Sequence, residues 1–256
     1  MDEVDFSVLK ILSENCRTPY EAMARSVGLT GNAVRERVRR LIEDGVIERF
    51  WLCVNPAIFG YNVVVSVLES CPVAGEYMFT VESLNGYCTA VTLSGGREGM
   101  RGAALSFVYP KAPPTCVVSE TDKRIIRSLR EDPRRSIHSI SESLGVSAKS
   151  VKRAVDKLVR NDVVSPTIIV QPAAIEGFIP YYLMVWNEPG RRAEDGARNW
   201  WFRQRIGDLT IMECYAKSFR DMEGRLSVLD HAGGVSSYIY MVPSRLSFSD
   251  RGIPEI

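Results

Sequence analysis

The feature that most constrains this chain is an internal repeat at an offset of 117 residues. Asp5 aligns with Asp122, Leu12 with Leu129, Arg17 with Arg134, Gly28 with Gly145, Val34 with Val151, Val38 with Val155 and Leu41 with Leu158. "NPAIFGY" (Asn55–Tyr61) is answered by "QPAAIEGF" (Gln171–Phe178), one residue out of step. A correspondence this long marks one structural unit used twice. Each unit runs from a helical head into a strand-rich tail. The expected divisions are a head at 1–54, a short tail at 55–113, a second head at 114–170 and a second tail at 171–256.

Within the first head, Val8, Leu9 and Leu12 share one helical face. A second helix is expected to open on "TPYE", with Thr18 as N-cap, Pro19 at the first helical position and Glu21 closing a capping box. Gly28 suits a left-handed turn, and Thr30 can cap a third helix carrying Val34, Val38 and Leu41 at i, i+4 and i+7. Gly45 stops that helix and "VIERFWLCV" reads as a strand. Ser136, Gly145 and Ser147 hold the matching positions in the second unit. Helix, helix, glycine turn, helix, strand is the order of a winged helix-turn-helix. The tails carry apolar strands at Val63–Glu69 and Tyr181–Asn187, then a helical stretch and further strands ("YCTAVTLSG", "LTIMECYAKSF"). In the second tail the helix is expected in "RNWWFRQRIGD". The fold class is α+β, two winged helix-turn-helix domains alternating with two α+β sandwiches.

The third helix of each head could present side chains to DNA. With Val34, Val38 and Leu41 turned inward, Asn32, Arg35, Glu36 and Arg39 fall outward, and Arg37 lies beside the buried stripe. Gly31–Leu41 carries four arginines against Glu36, a balance of +3; Ser147–Arg160 carries five cations against Asp156, or +4. Candidate DNA-binding residues are therefore Thr30, Asn32, Arg35, Arg39 and Arg40, with Ser147, Lys149, Lys152, Arg153 and Lys157 in the second head. The alternative is an ordinary solvated helix face. The heads differ: Met1–Arg49 sums to −1 and Ser119–Arg160 to +5. Head 2 is expected to supply more phosphate affinity, and head 1 more directional contacts through Asn32 and Arg35.

The stretch from Asp5 to Tyr61, with "NCRTP", "VGLT", "VRERVRRLIEDGVI" and "NPAIFGY", resembles the DNA-binding head of Lrp/AsnC (feast/famine) transcription regulators. The second unit repeats the likeness through "DKRIIRSLREDPRRSI", "SLGVSAKSVKRAVDKLV" and "QPAAIEGF". The resemblance implies that the tails are that family's ferredoxin-like (RAM-type) effector and assembly domains, partly degenerate, since Phe219 and Met222 stand at its glycine and aspartate positions. It also implies that two unlike units could form an internal pseudo-dimer on double-stranded DNA, with homodimers or higher oligomers through the α+β domains.

Other classes find less support. A net charge of +1 requires any nucleic-acid site to be local. Six scattered cysteines and two histidines offer no zinc cage, so neither a metal nor a cofactor is expected beyond an unidentified small-molecule effector. Reduced thiols, a cytoplasmic location and no membrane partner follow from the same reading. Asp2, Glu3, Asp5 and Glu14 read as a solvated acidic first turn. Gly95 and Gly96 of "GGREG", the "HAGG" loop and Trp201 are weak ligand-binding candidates, more simply turns and core. No nucleophile–base pair is evident, so no catalytic residue is assigned. A siroheme decarboxylase-like enzyme on an Lrp-type fold, or a scaffold regulator that does not bind DNA, are the alternatives.

Overall fold

A computed structural model describes residues 1–72, 77–96, 100–109, 114–187, 199–206, 209–231 and 235–248. Head 1 is α1 (Glu3–Glu14), α2 (Tyr20–Val27) and α3 (Gly31–Glu43); head 2 is α4 (Glu120–Glu131), α5 (Ile137–Leu144) and α6 (Ala148–Arg160). Local chemistry fixes their ends. Asp2 and Asp5 form a capping box on α1, and Ser119 and Asp122 form its counterpart on α4. Thr30 and Ser147 accept from the Ala33 and Ser150 amides to open α3 and α6. Gly28 and Gly145 close α2 and α5 in the left-handed region, at φ 70° and 65°. The capping box expected on α2 does not form. Thr18 instead turns back and donates to the Asn15 carbonyl at the end of α1, leaving Pro19 at the cap.

The strands that follow the heads are exchanged. β1 (Ile47–Val54) pairs antiparallel with β6 (Val164–Val170), the equivalent strand of the other unit. Under the 117-residue offset, the pair Phe50↔Ile168 becomes Trp51↔Thr167, and Leu52↔Pro166 becomes Arg49↔Ile169, so the register maps onto itself. The exchange carries side chains with it. Leu52 is buried in the core of head 2 among Ile125, Leu129 and Val155, while Ile168 and Val170 complete the core of head 1 around Leu9, Val34 and Val38. Each such burial stabilises by about 1.5–3 kcal/mol, so neither head closes its core without the other unit's strand. Two equivalent arginines fasten the heads. Arg17 Nη1 donates to the carbonyls of Pro133 (2.6 Å) and Arg135 (3.0 Å), and Arg134 lies over the rings of Tyr20 (4.5 Å) and Phe50 (5.1 Å).

Both tails have the ferredoxin-like strand order. The first contains β2 (Asn62–Leu68), β3 (Phe79–Ser83), β4 (Cys88–Ser94) and β5 (Leu105–Tyr109), arranged β3-β4-β2-β5. β11 (Pro243–Phe248), from the far end of the chain, extends this sheet by pairing with β3. The second contains β7 (Ile179–Asn187), β8 (Trp200–Ile206), β9 (Leu209–Ala216) and β10 (Val235–Met241), arranged β10-β7-β9-β8, with α7 (Phe219–His231) on one face.

Four expectations are corrected here. Trp200–Ile206 is a strand and not a helix. Aromatic side chains suit a pleated surface, β9 supplies the hydrogen bonds, and Trp200 and Trp201, adjacent on the strand, enter different cores. In the first tail, no helix occurs among the described residues; Met100 and Ala103 cover the face presented by Leu68, Cys88 and Ala90. The cysteines are not all reduced thiols, since Cys71 and Cys88 form a disulfide. Cys88 lies opposite Leu68 at the end of β2, and the chain leaving that strand returns Cys71 to a Cα separation of 5.0 Å. Asp5 is buried, not solvated, and takes a 2.7 Å bond from Arg37.

Tail 2 docks its aromatic side chains on head 1. Phe6 stacks on Tyr215 with centroids 3.5 Å apart and meets Phe178 edge-on at 4.9 Å; Tyr215 Oη donates to Glu3 at 3.0 Å. At the offset equivalent to Phe6, head 2 has Lys123, which offers no ring to pack. Behind this contact Trp201 Nε1 donates to Glu213 Oε2 at 2.7 Å. Burial pushes the Glu213 carboxyl up to about 7, and the Trp201 bond only partly offsets this. A carboxyl raised in this way favours folding below its unfolded value and loses that advantage as pH climbs to about 7. Glu213→Gln, which can still accept from Trp201, is expected to stabilise the protein by about 2–3 kcal/mol at pH 8 and by almost nothing near pH 4. Urea unfolding at the two pH values checks this, and an equal gain at both contradicts it.

Candidate nucleic-acid interface

On α3, Val34, Val38 and Leu41 are buried as the spacing requires, and Asn32, Arg35, Arg39 and Arg40 are exposed. The four arginines nevertheless divide by partner. Arg37 bonds Asp2 (2.8 Å) and Asp5 (2.7 Å), which raises its pKa and removes it from the surface. Arg39 is paired with Glu36 and Glu43 on its own helix; its hydrogen bond holds the Glu36 carboxyl below its usual range. Arg35 leans 5.4 Å over Tyr20, the ring that also receives Arg134 of head 2. Arg40 is exposed without an ion pair among the described residues.

On α6, Val151, Val155 and Leu158 are buried, while Lys149, Lys152, Arg153 and Arg160 are exposed and make no ion pair among the described residues. Lys157 is drawn inward: it bonds Asp122 at 2.5 Å and the Val117 carbonyl at 3.4 Å. Burial alone would raise the Asp122 carboxyl, but Lys157 and Ser119 together hold it below the usual range. Asp5 and Asp122 are equivalent acids at the starts of α1 and α4, so in each head this acid ties the third helix to the first through an ion pair, which Asp2 supplements in head 1. Thr30 and Ser147 are spent on capping, with exposed side chains at the two helix N-termini.

The structure thus leaves Asn32, Arg35 and Arg40 outward on head 1 and Lys149, Lys152, Arg153 and Arg160 on head 2. Arg160 stood outside the sequence-derived set. The Arg17–Arg134 fastening was also missed, although the repeat aligns the two arginines and nothing in a solvated loop would require it. Of the weak ligand candidates, Trp201 is buried core packed on Phe6. Gly95 and Gly96 form an exposed turn, where Gly96 donates to Ser94 Oγ and accepts from Asn62. The remainder of "GGREG" (97–99) and of "HAGG" (232–234) lies outside the described residues.

Comparison with family models matches both heads. Residues 1–42 match the AsnC-type helix-turn-helix domain, and residues 118–165 match a winged helix-turn-helix DNA-binding domain. Among curated relatives, the transcriptional regulator FL11 of Pyrococcus furiosus is 32% identical over 87 residues, which cover 34% of this chain and 57% of that protein. LrpA of Pyrococcus horikoshii is 42% identical over 64 residues, covering 25% and 45%. The chain spans about half the length of the curated relatives it matches. Among solved structures, the siroheme decarboxylase NirDL aligns over 94% of this chain and 91% of its own at 12% identity, with a TM-score of 0.45. B. subtilis LrpC aligns over 53% and 97% at 17% identity, with a TM-score of 0.34. No helix among the described residues is long and apolar enough to cross a membrane. The chain thus carries an AsnC-type helix-turn-helix domain at its start and a second winged helix-turn-helix domain at 118–165.

Proposed function

We propose that this chain is a transcriptional regulator in which α3 and α6, held as an internal pseudo-dimer, read two unlike half-sites on one double-stranded DNA. The observation that carries the reading is the β1–β6 exchange, whose register maps onto itself under the repeat offset and ties the two heads together. Half-sites one helical turn apart, or a multiple of it, follow from such a pair, roughly 34 Å or more between centres. The heads divide the work. Four unpaired cations on α6 neutralise phosphates, whereas Asn32 and Arg35 on α3 have the planar donors that base edges accept. Further copies associate through the α+β sheets, which sedimentation at several concentrations tests.

Selection of bound sequences from random DNA, followed by mobility shifts across a salt series, tests the core of the reading. Lys152→Ala is expected to lower the salt slope by about 1 with little change in sequence preference. Arg35→Ala is expected to cost about 1–3 kcal/mol at the preferred site and to relax specificity at one position. Equal changes in slope and specificity would remove the division of labour. No enrichment of any sequence would replace the regulator reading with a scaffold that does not bind DNA, and a bound absorbance spectrum on titration with siroheme would favour an enzyme.

A further inference from the structure

A cavity of about 430 Å³ lies between the two tail sheets and the β1–β6 ribbon. Small-molecule sites span roughly 300–1,000 Å³ and are mostly apolar with a few placed polar groups. This one fits that description. Val63, Val65 and Val91 of the first sheet face Met184, Ile211 and Phe202 of the second across it.

Glu213 interrupts that apolar wall. It stands on β9 in register with Tyr182 of β7 and Phe202 of β8, both of which also line the cavity. It is half-buried and its side chain lines the cavity. Oε2 accepts from Trp201, and no described residue bonds Oε1. A carboxyl placed among hydrophobic side chains with one oxygen unbonded by any described residue is costly as a structural element. It is a natural acceptor for a ligand nitrogen.

We propose that this cavity binds an apolar organic base, an aliphatic or aromatic amine whose body lies between the two sheets and whose protonated nitrogen pairs with Glu213. The charges around the cavity favour a cation over an anion. Glu14 of α1, Asp162 at the end of head 2 and Glu213 are acidic; Arg130 of α4 and Arg203 of β8 are basic. With Glu213 ionised these sum to −1, and Arg203 lies over the Trp200 ring at 5.1 Å. Because burial holds the Glu213 proton up to about 7, a cationic ligand must displace that proton at lower pH. Its affinity therefore rises by about tenfold between pH 6 and pH 8 and then levels. The groups facing Glu213 in this titration are Tyr182 of β7, the Trp201 N–H and Arg203 of β8, with Glu14, Arg130 and Asp162 lining the cavity from the heads.

The test uses the full chain without DNA, so its outcome is independent of the regulator reading. Two fluorescent probes share one naphthalene body: dansylcadaverine ends in an ammonium, and dansyl-6-aminohexanoate ends in a carboxylate. Dansylcadaverine is expected to bind at least about tenfold more tightly than the acid at pH 8, with emission shifted to the blue. Glu213→Gln, which preserves the Trp201 bond, is expected to bring the two probes level and abolish the pH dependence. Val65→Phe, which narrows the cavity, weakens both probes. Failure of dansylcadaverine to bind the wild-type chain, equal binding of the two probes, or an undiminished preference in Glu213→Gln overturns the assignment.

Discussion

Phe6→Ala is expected to lower the unfolding free energy by about 3–5 kcal/mol, the range for emptying a buried aromatic site. Phe6 is 1% exposed and is enclosed by three rings, with Tyr215 at 3.5 Å, Phe178 at 4.9 Å and Trp201 at 5.9 Å. The space left behind is framed by Tyr215 and Trp201, whose hydroxyl and indole N–H are committed to Glu3 and Glu213, so neither ring can collapse into it. Loss of the stack also loosens the docking of tail 2 on α1. Denaturant unfolding followed through tryptophan fluorescence reads both effects. The control is Lys123→Ala at the equivalent position in head 2, where no ring packs, and it should change stability by less than about 0.5 kcal/mol. Equal effects of the two changes would mean that the one-sided docking does not stabilise the fold.

The second large effect belongs to α6. Reversing two of its exposed cations together, Lys152→Glu and Arg153→Glu, is expected to weaken DNA binding on the order of 100-fold at 0.1 M salt and to reduce the salt slope by about 2. Neither residue has an ion pair to lose among the described residues, so thermal unfolding should shift little. Arg39→Ala on α3 provides the contrast. That guanidinium is already paired with Glu36 and Glu43, so its removal should change affinity by less than about threefold. If Arg39→Ala weakens binding as strongly as the double reversal, the intrahelical pairs open on DNA and head 1 is more basic in the complex than in the free chain.

These contrasts separate what the helices display from what they hold. By spacing alone, four arginines in eleven residues look like one basic face. In the fold, Arg37 is fixed to Asp2 and Asp5, Arg39 is neutralised along its own helix, and Arg35 is steered by Tyr20. The second copy keeps the buried spacing and changes the outward set. Its first-helix acid takes an ion pair from Lys157, the equivalent of Arg40, one turn from where Arg37 performs that task in head 1. Duplication therefore preserved an acid-to-helix tie while the cation that satisfies it moved.

The two heads were legible in the sequence because their determinants are local. Caps at Thr30 and Ser147, left-handed glycines at 28 and 145, and apolar residues at i, i+4 and i+7 act within a few turns of one helix, and each does in the structure what its spacing dictates. The 117-residue offset likewise marks two units in the sequence by itself. Tertiary structure decided the matters in which distant segments compete. Trp200–Ile206 became a strand because β9 offered hydrogen bonds along its whole length. β11 joined the first tail's sheet across 160 residues of chain, with Arg245 opposite Glu82 and Leu246 opposite Val81. Cys71 met Cys88, and Asp5 went inside with Arg37, through placements that no local pattern encodes. The exchange of β1 and β6, and the enclosure of Glu213 in an apolar cavity, arise in the same way. Periodicity tells a residue which side of its own element to face, and only the packing of elements far apart in sequence decides what stands on that side.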